Sequence, residues 1–218
     1  MPSTEWKREA RGEPWYPGET ISVAIGQGQV TVTPLSLAVM MATVANGGTR
    51  VTPHLLKAVN EGNGFVPVRR PVPRSEVELS PETLSAVTDG LWYVGNRAGT
   101  GRSSRIEGRD VIGKTGTAQV ISLAGREAAV ESKRDFRDHG WFVFAAPRDN
   151  PEIAGVVFGE HSEHGYLAAP IARHVMETFF AKRDGRTLPK LSVPVHVRQP
   201  IPTPATPLSN TRPNAGGG

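Results

Sequence analysis

The stretch Gly108–Thr115 fits the pattern of a phosphate-binding loop: Gly, four residues, Gly, Lys, then Ser or Thr. In such a loop a buried strand precedes the first glycine and a helix begins at the lysine. Here the residues before Gly108 are polar, and Thr117–Ile121 is rich in β-branched residues, which favours a strand. The surrounding sequence therefore argues against nucleotide binding, which we keep as a minor alternative.

The lysine of this stretch also belongs to a second pattern, Lys-Thr-Gly on a β-strand. The cation of Lys114 and the hydroxyl of Thr115 can hold a substrate carboxylate, and Gly116 lets a substrate backbone lie against the strand. The backbone N–H of Thr117 can then point at an oxyanion that develops during acyl transfer. Three residues are a weak signal, and an exposed lysine beside a strand turn is the simpler interpretation of the triplet by itself.

Histidine and carboxylate side chains are dense in Glu160–His164, as in some metal sites. Gly159 and Gly165 bracket this stretch and favour a loop, and the sequence offers no second group of ligands. We therefore predict a structural loop and no metal site.

Two further segments allow both a functional and a structural interpretation. Leu123–Asp138 mixes acidic and basic residues and is predicted to be a solvated connection, with a place at a substrate rim as the alternative. Trp92 and Tyr93 lie on a predicted helix, where aromatic side chains more often belong to the core than stack on ligands.

Helix start signals stand at Thr33-Pro34 and Ser80-Pro81, where a capping hydroxyl precedes a proline. The first of these helices is apolar nearly all round, which predicts burial, and Gly47 ends it. A last helix is predicted over Leu167–Lys182.

Two runs, Trp141–Ala146 and Ile153–Phe158, are apolar on both faces and predict adjacent antiparallel strands covered on both sides. Met1–Thr20 is predicted to be irregular, and Ile21–Ile25 to be a short strand. Helices followed by strands and a final helix predict an α+β fold, an antiparallel sheet with helices on its faces.

Composition agrees with one domain followed by a tail. The 218 residues include 24 glycines and 19 prolines, and 38% are hydrophobic. Residues 1–188 are predicted to form the domain, and the Pro-rich residues 189–218 to be disordered. A net charge of +4 without a basic stripe argues against a nucleic-acid partner, and the absence of cysteine excludes disulfides.

Several motifs together resemble, in order and spacing, the penicillin-binding protein 2 family of class B transpeptidases. They cover much of the chain from Met1 to about Lys182, namely Ile25–Gly28, Thr31–Ala38, Ala45–Gly48, Gly113–Gln119, His139–Phe142 and Ala168–Ala172. The resemblance implies the penicillin-binding transpeptidase fold, a five-stranded antiparallel sheet between helices. It also implies that Lys114, Thr115, Gly116 and Thr117 bind substrate and that the backbone of Thr117 donates to the oxyanion.

The chemistry implied by the resemblance is cross-linking of peptidoglycan stem peptides without a cofactor. A serine attacks D-alanyl-D-alanine, and β-lactams acylate the same serine. The implied parent protein is anchored in the inner (plasma) membrane, with this domain in the periplasm or outside the cell, and works in a cell-elongation complex with a membrane glycosyltransferase. No targeting or membrane segment is expected in this chain, because it contains no long apolar run.

Two of the family's three active-site motifs, Ser-x-x-Lys and Ser-x-Asn, do not occur in the sequence. Thr4–Lys7 has the first spacing with threonine as its leading residue. The nucleophile and general base are therefore expected outside this chain. Two hypotheses follow: the Lys-Thr-Gly portion of a transpeptidase, or an inactive remnant that at most binds peptide. Phe144 also stands where the family often has glycine.

Overall fold

A computed structural model describes residues 2–60, 62–68, 75–121 and 135–191. Residues 192–218 of the predicted tail and residues 123–134 of the predicted connection lie outside the described part. The elements, in chain order, are α1 (Thr4–Arg11), α2 (Pro17–Ala24), α3 (Pro34–Ala45), β1 (Thr49–Arg50), β2 (Ala58–Asn60), β3 (Phe65–Pro67), β4 (Ser75–Glu76), α4 (Pro81–Asn96), β5 (Ile112–Ala118), β6 (His139–Ala146), β7 (Ile153–Gly159) and α5 (Ala169–Arg183).

The main sheet is antiparallel, with the order β5-β6-β7, and its last two strands are the pair predicted from the sequence. Between α3 and α4 lie two short antiparallel pairs, β1 with β4 and β2 with β3, which the sequence signals do not predict. The α+β class is confirmed.

The starts of α3 and α4 are confirmed as well. The Thr33 hydroxyl accepts a hydrogen bond from the Ser36 N–H at 3.1 Å, and the Ser80 hydroxyl caps α4 in the same way. The predicted burial of α3 all round is wrong, since Met41 is 1% exposed and Leu35 is 59% exposed. Only one side of this helix packs on the sheet.

The predictions for the N-terminus are also wrong, because Met1–Thr20 and Ile21–Ile25 contain α1 and α2 rather than an irregular lead-in and a strand. The cap of α2 overrides the β-branched residues: Pro17 occupies its first turn, and the Glu19 carboxylate accepts from the Tyr16 N–H at 2.8 Å. β-Propensity depends on context and is a weak preference beside these signals.

Helices of this chain cover both faces of the main sheet, as the apolar strands predict. On one face, Phe142 and Phe144 pack with Met176 and Phe180 of α5. On the other face, Ile112, Val143 and Ala145 pack with Met41 of α3 and with partly buried residues of α4. The core thus lies in two layers about β6.

Phe144, the departure from the family pattern, has a structural counterpart in Gly155. The two residues are paired across β6 and β7. A Cβ added to Gly155 would lie 2.7 Å from the Phe144 ring, closer than real Cβ contacts allow. The glycine on β7 therefore makes the space that the phenylalanine on β6 occupies.

We predict that Gly155→Ala lowers the free energy of unfolding by about 1–3 kcal/mol, because the new methyl group overpacks the Phe144 ring. Urea denaturation measures the change. In a Phe144→Ala background the same substitution should cost at least about 1 kcal/mol less. Gly90→Ala, on an open helix surface, is the control and should be neutral or stabilising. An equal cost of Gly155→Ala in both backgrounds would contradict the pairing.

Candidate functional site

The residues of the Lys-Thr-Gly pattern all lie on β5, which pairs with β6 alone among the described residues. Lys114 and Thr117 are exposed, and Thr115 and Gly116 are half-buried. A phosphate-binding loop requires a helix that begins at Lys114, whereas a seven-residue strand runs through it. The nucleotide alternative is therefore wrong.

The open edge of β5 presents the backbone of Thr115 and Thr117. The Thr117 carbonyl accepts from Gln27 Nε2 at 2.7 Å, and the Thr115 carbonyl accepts from Lys114 Nζ at 2.7 Å. In an antiparallel strand each residue points its N–H and C=O the same way, and the direction alternates along the strand. The N–H groups of Thr115 and Thr117 therefore face the open edge too.

Side chains of β5 alternate between the two faces of the sheet. Lys114 is paired with Val143 and lies on the face covered by α3 and α4. Thr115 is paired with Phe142 on the α5 face, where its hydroxyl lies 2.6 Å from the Thr100 hydroxyl. The edge thus combines an exposed ammonium, a hydroxyl pair and outward backbone amides, a set of donors suited to a carboxylate or an oxyanion.

Gln27 reaches this edge from the loop after α2, and reasoning from the sequence did not single it out as a site residue. Gly26 and Gly28 on either side adopt left-handed φ values of 73° and 68°. The Gln27 N–H donates to the Ser22 carbonyl at 2.8 Å, which fixes the loop against the helix end. The two flanking glycines, and the place of Gln27 within the motif Ile25–Gly28, are the signals in the sequence that point to this glutamine.

A buried ion cluster holds α1 against α2 and so supports that loop. Lys7 is 2% exposed, and its Nζ lies 2.7 Å from Glu19, 3.4 Å from Glu13 and 4.2 Å from the centre of the Tyr16 ring. Burial alone would lower the pKa of Lys7, but the hydrogen bond and attraction of Glu19 raise it above its usual value. The hydrogen bond from Lys7 lowers the pKa of Glu19.

The loop Glu160–His164 supports the strands as a structural turn. Its His161 N–H donates to Nδ1 of His139 at 3.0 Å, and Ser162 Oγ accepts from the Gly140 N–H at 3.1 Å. Among residues 2–60, 62–68, 75–121 and 135–191, no three metal-binding side chains come together. The loop continues into Gly165, where an added Cβ would lie 2.4 Å from the Gly116 carbonyl oxygen. Gly165 therefore rests directly on the candidate site.

The aromatic pair on α4 divides between the core and the surface. Trp92 packs against the cluster around Ile112, whereas Tyr93 is 56% exposed. The core interpretation is confirmed for Trp92 and wrong for Tyr93.

Residues 3–177 of this chain match the family model of the penicillin binding protein transpeptidase domain. The chain belongs to the penicillin-binding protein transpeptidase family, whose members carry out acyl transfer. Among curated relatives, the peptidoglycan D,D-transpeptidase MrdA of Acinetobacter baumannii is 40% identical over 84% of this chain and 27% of the relative.

The solved structures that this chain resembles include penicillin-binding proteins. Pseudomonas aeruginosa PBP2 in complex with WCK 5153 has a TM-score of 0.68 and 36% identity over 89% of this chain and 41% of that chain. Helicobacter pylori PBP2, solved in a complex with MreC, has a TM-score of 0.65 and 26% identity over 84% of this chain and 31% of that one. The chain spans about a third of the length of the curated relatives it matches.

Every helix in the described ranges is too short or too polar to cross a membrane.

We predict that Gly165→Ala lowers the free energy of unfolding by about 1–3 kcal/mol, because the methyl group must displace the Gly116 backbone. It should also shift the backbone amide NMR signals of Gly116 and Thr117. Gly18→Ala, where an added Cβ meets no atom within 4 Å, is the control for both measurements. Unchanged signals at Gly116 would contradict the contact.

Proposed function

We propose that this chain is the Lys-Thr-Gly portion of a serine-type peptidoglycan D,D-transpeptidase that cross-links stem peptides. The observation that carries the proposal is the open edge of β5, where the Thr117 N–H points outward beside Lys114 and Thr115. Membership in the transpeptidase family supports it.

In the proposed reaction a serine hydroxyl attacks the carbonyl carbon between the two D-alanine residues. The carbonyl oxygen becomes an oxyanion, which the outward Thr117 N–H stabilises. Lys114 and Thr115 hold the terminal carboxylate from the two sides of the strand edge, which the Lys114 ammonium reaches at the Thr115 carbonyl. When the oxyanion collapses, the C–N bond breaks and D-alanine leaves with a proton. An amine of a neighbouring stem peptide then attacks the acyl-enzyme ester and regenerates the serine.

The serine and its base would come from a part of the domain that this chain does not contain, since Ser-x-x-Lys and Ser-x-Asn are absent from its sequence. The same absence favours a second candidate, a binding-only or inactive remnant. Both candidates share the substrate class, D-alanyl-D-alanine peptides and β-lactams, and neither needs a cofactor.

Location and partners are proposed from the relatives. The Helicobacter pylori relative was solved with MreC, which supports a place for the parent protein in a multiprotein assembly. We extend this to a cell-elongation complex with a membrane glycosyltransferase, with the parent protein anchored in the inner membrane and this domain in the periplasm.

The first functional prediction is that fluorescent penicillin does not label the 218-residue chain covalently, because no activated serine is present. The restored enzyme, in which transpeptidase sequence carrying Ser-x-x-Lys and Ser-x-Asn precedes this chain, should be labelled. Denaturing gel electrophoresis reads both results. A stoichiometric label on the chain alone would contradict the proposal that the serine lies outside this chain. An unlabelled restored enzyme would favour the second candidate, a binding-only or inactive remnant.

The second functional prediction concerns Lys114 in the restored enzyme. A charge-assisted hydrogen bond to the carboxylate contributes about 1.5–3 kcal/mol, so Lys114→Ala should slow penicillin acylation by about 10- to 100-fold. Lys114→Arg should recover part of the rate, because it keeps the charge in a larger, forked group.

Arg148→Ala is the control that removes a cation outside the candidate site: this arginine follows β6, beyond the Ile112 end of β5, and pairs with Asp89. Its acylation rate should stay near wild type. Stopped-flow fluorescence measures the rates. Acylation of Lys114→Ala at the wild-type rate would show that this lysine is only a surface residue of the strand.

A further inference from the structure

We propose that Gln27 is a positioning residue for acyl transfer, which holds the Thr117 end of β5 so that the Thr117 N–H is aimed at the developing oxyanion. The inference rests on the proposed function, because it assigns a role within the same site. It starts from one contact: Gln27 Nε2 donates to the Thr117 carbonyl at 2.7 Å, across 90 residues of sequence.

The Thr117 end of β5 needs such a support for two reasons. Gly116, directly before Thr117, has the backbone freedom of glycine, and the strand ends one residue later at Ala118. Pairing with β6 therefore holds this end from one side only. Gly165 rests against the Gly116 carbonyl on the sheet face, and Gln27 binds the Thr117 carbonyl at the edge.

Gln27 is itself well fixed, which a support requires. Its backbone N–H donates to Ser22, and the preceding Gly26 N–H donates to Val23 at 3.0 Å. Its side chain is half-buried, so few other rotamers are open to it. The helix that carries this loop is tied to α1 by the Lys7–Glu19 ion pair.

The expected effect is on the chemical step and not on binding. An oxyanion donor acts only on charge that develops in the transition state, and a small misplacement of such a group costs about 10- to 100-fold in rate. The side chains of the proposed carboxylate ligands Lys114 and Thr115 make their hydrogen bonds with partners other than Gln27, so the affinity before acylation should be kept.

The same contact would also allow the opposite role, in which Gln27 blocks the strand edge against substrate. An extended peptide that adds to a strand edge uses the same backbone carbonyl as an acceptor. If Gln27 were a cap that substrate must displace, its removal would speed acylation or tighten binding. The fixed loop favours support over a displaceable cap.

The test uses the restored enzyme and stopped-flow acylation by a penicillin over a range of concentrations, which separates the affinity from the limiting rate. Gln27→Met keeps the length of the side chain and removes the donor. Its limiting rate should fall about 10- to 100-fold with an unchanged affinity and an unchanged thermal midpoint. Gln27→Asn keeps the amide but is too short to reach Thr117, and it should be equally slow. Asn46→Leu, which removes an amide that donates to the Thr49 carbonyl at 2.7 Å outside the candidate site, is the control and should acylate at the wild-type rate.

Each outcome bears on a different statement. If penicillin did not label the restored enzyme with wild-type Gln27, the proposed function itself would be refuted. A labelled wild type with unchanged rates in both Gln27 variants, or with faster acylation, would overturn the positioning role. A loss of affinity and thermal midpoint together with rate would mean that Gln27 only maintains the fold, and that outcome would overturn it as well.

Discussion

An unpaired strand edge leaves a row of N–H and C=O groups that will bond to whatever backbone comes near. β5 has such an edge, and its usefulness depends on these groups being fixed in space while they stay open to a ligand. The rest of the structure meets this constraint from three directions: β6 pairs with the inner side, Gly165 supports one face, and Gln27 reaches the edge from α2. None of these contacts covers the Thr117 N–H.

Close backbone contact is the means by which the sheet and its loops are brought together. Gly140, Gly159 and Gly165 each leave less than 3 Å between an added Cβ and the loop or strand opposite, so a side chain at any of them would push the two apart. The same principle operates inside the sheet, where Gly155 accommodates the Phe144 ring. Packing at this density transmits a shift of one segment to the next, because there is no free volume to absorb it.

Local signals in the sequence predicted those elements whose causes are local. Thr33 and Ser80 mark helix starts because a hydroxyl can satisfy the first free N–H groups, and the apolar runs mark β6 and β7 because both faces are buried. Lys114 and its neighbours were predicted as candidate site residues because their types repeat a known chemical pattern. α2 was mistaken for a strand because three β-branched residues outweighed its cap in the prediction. Gln27 and Gly165 were not predicted beside the candidate site, because they reach it through contacts with residues far along the chain, which composition and periodicity do not encode.

The covering of both sheet faces by helices of the same chain has a consequence for how a domain of this kind can be divided. A polypeptide break usually exposes a half-built core, and each piece then depends on the other to fold. Here α5 packs on one face and α3 and α4 on the other, while the outer edges of β5 and β7 and apolar side chains such as Ile21, Ile25 and Leu35 stay exposed. A complementary fragment would therefore meet a sheet that already has helices on both faces, and would cover strand edges and exposed apolar side chains around it. Reassembly of two such pieces would follow the rules of a protein–protein interface, with a dissociation constant and a dependence on concentration.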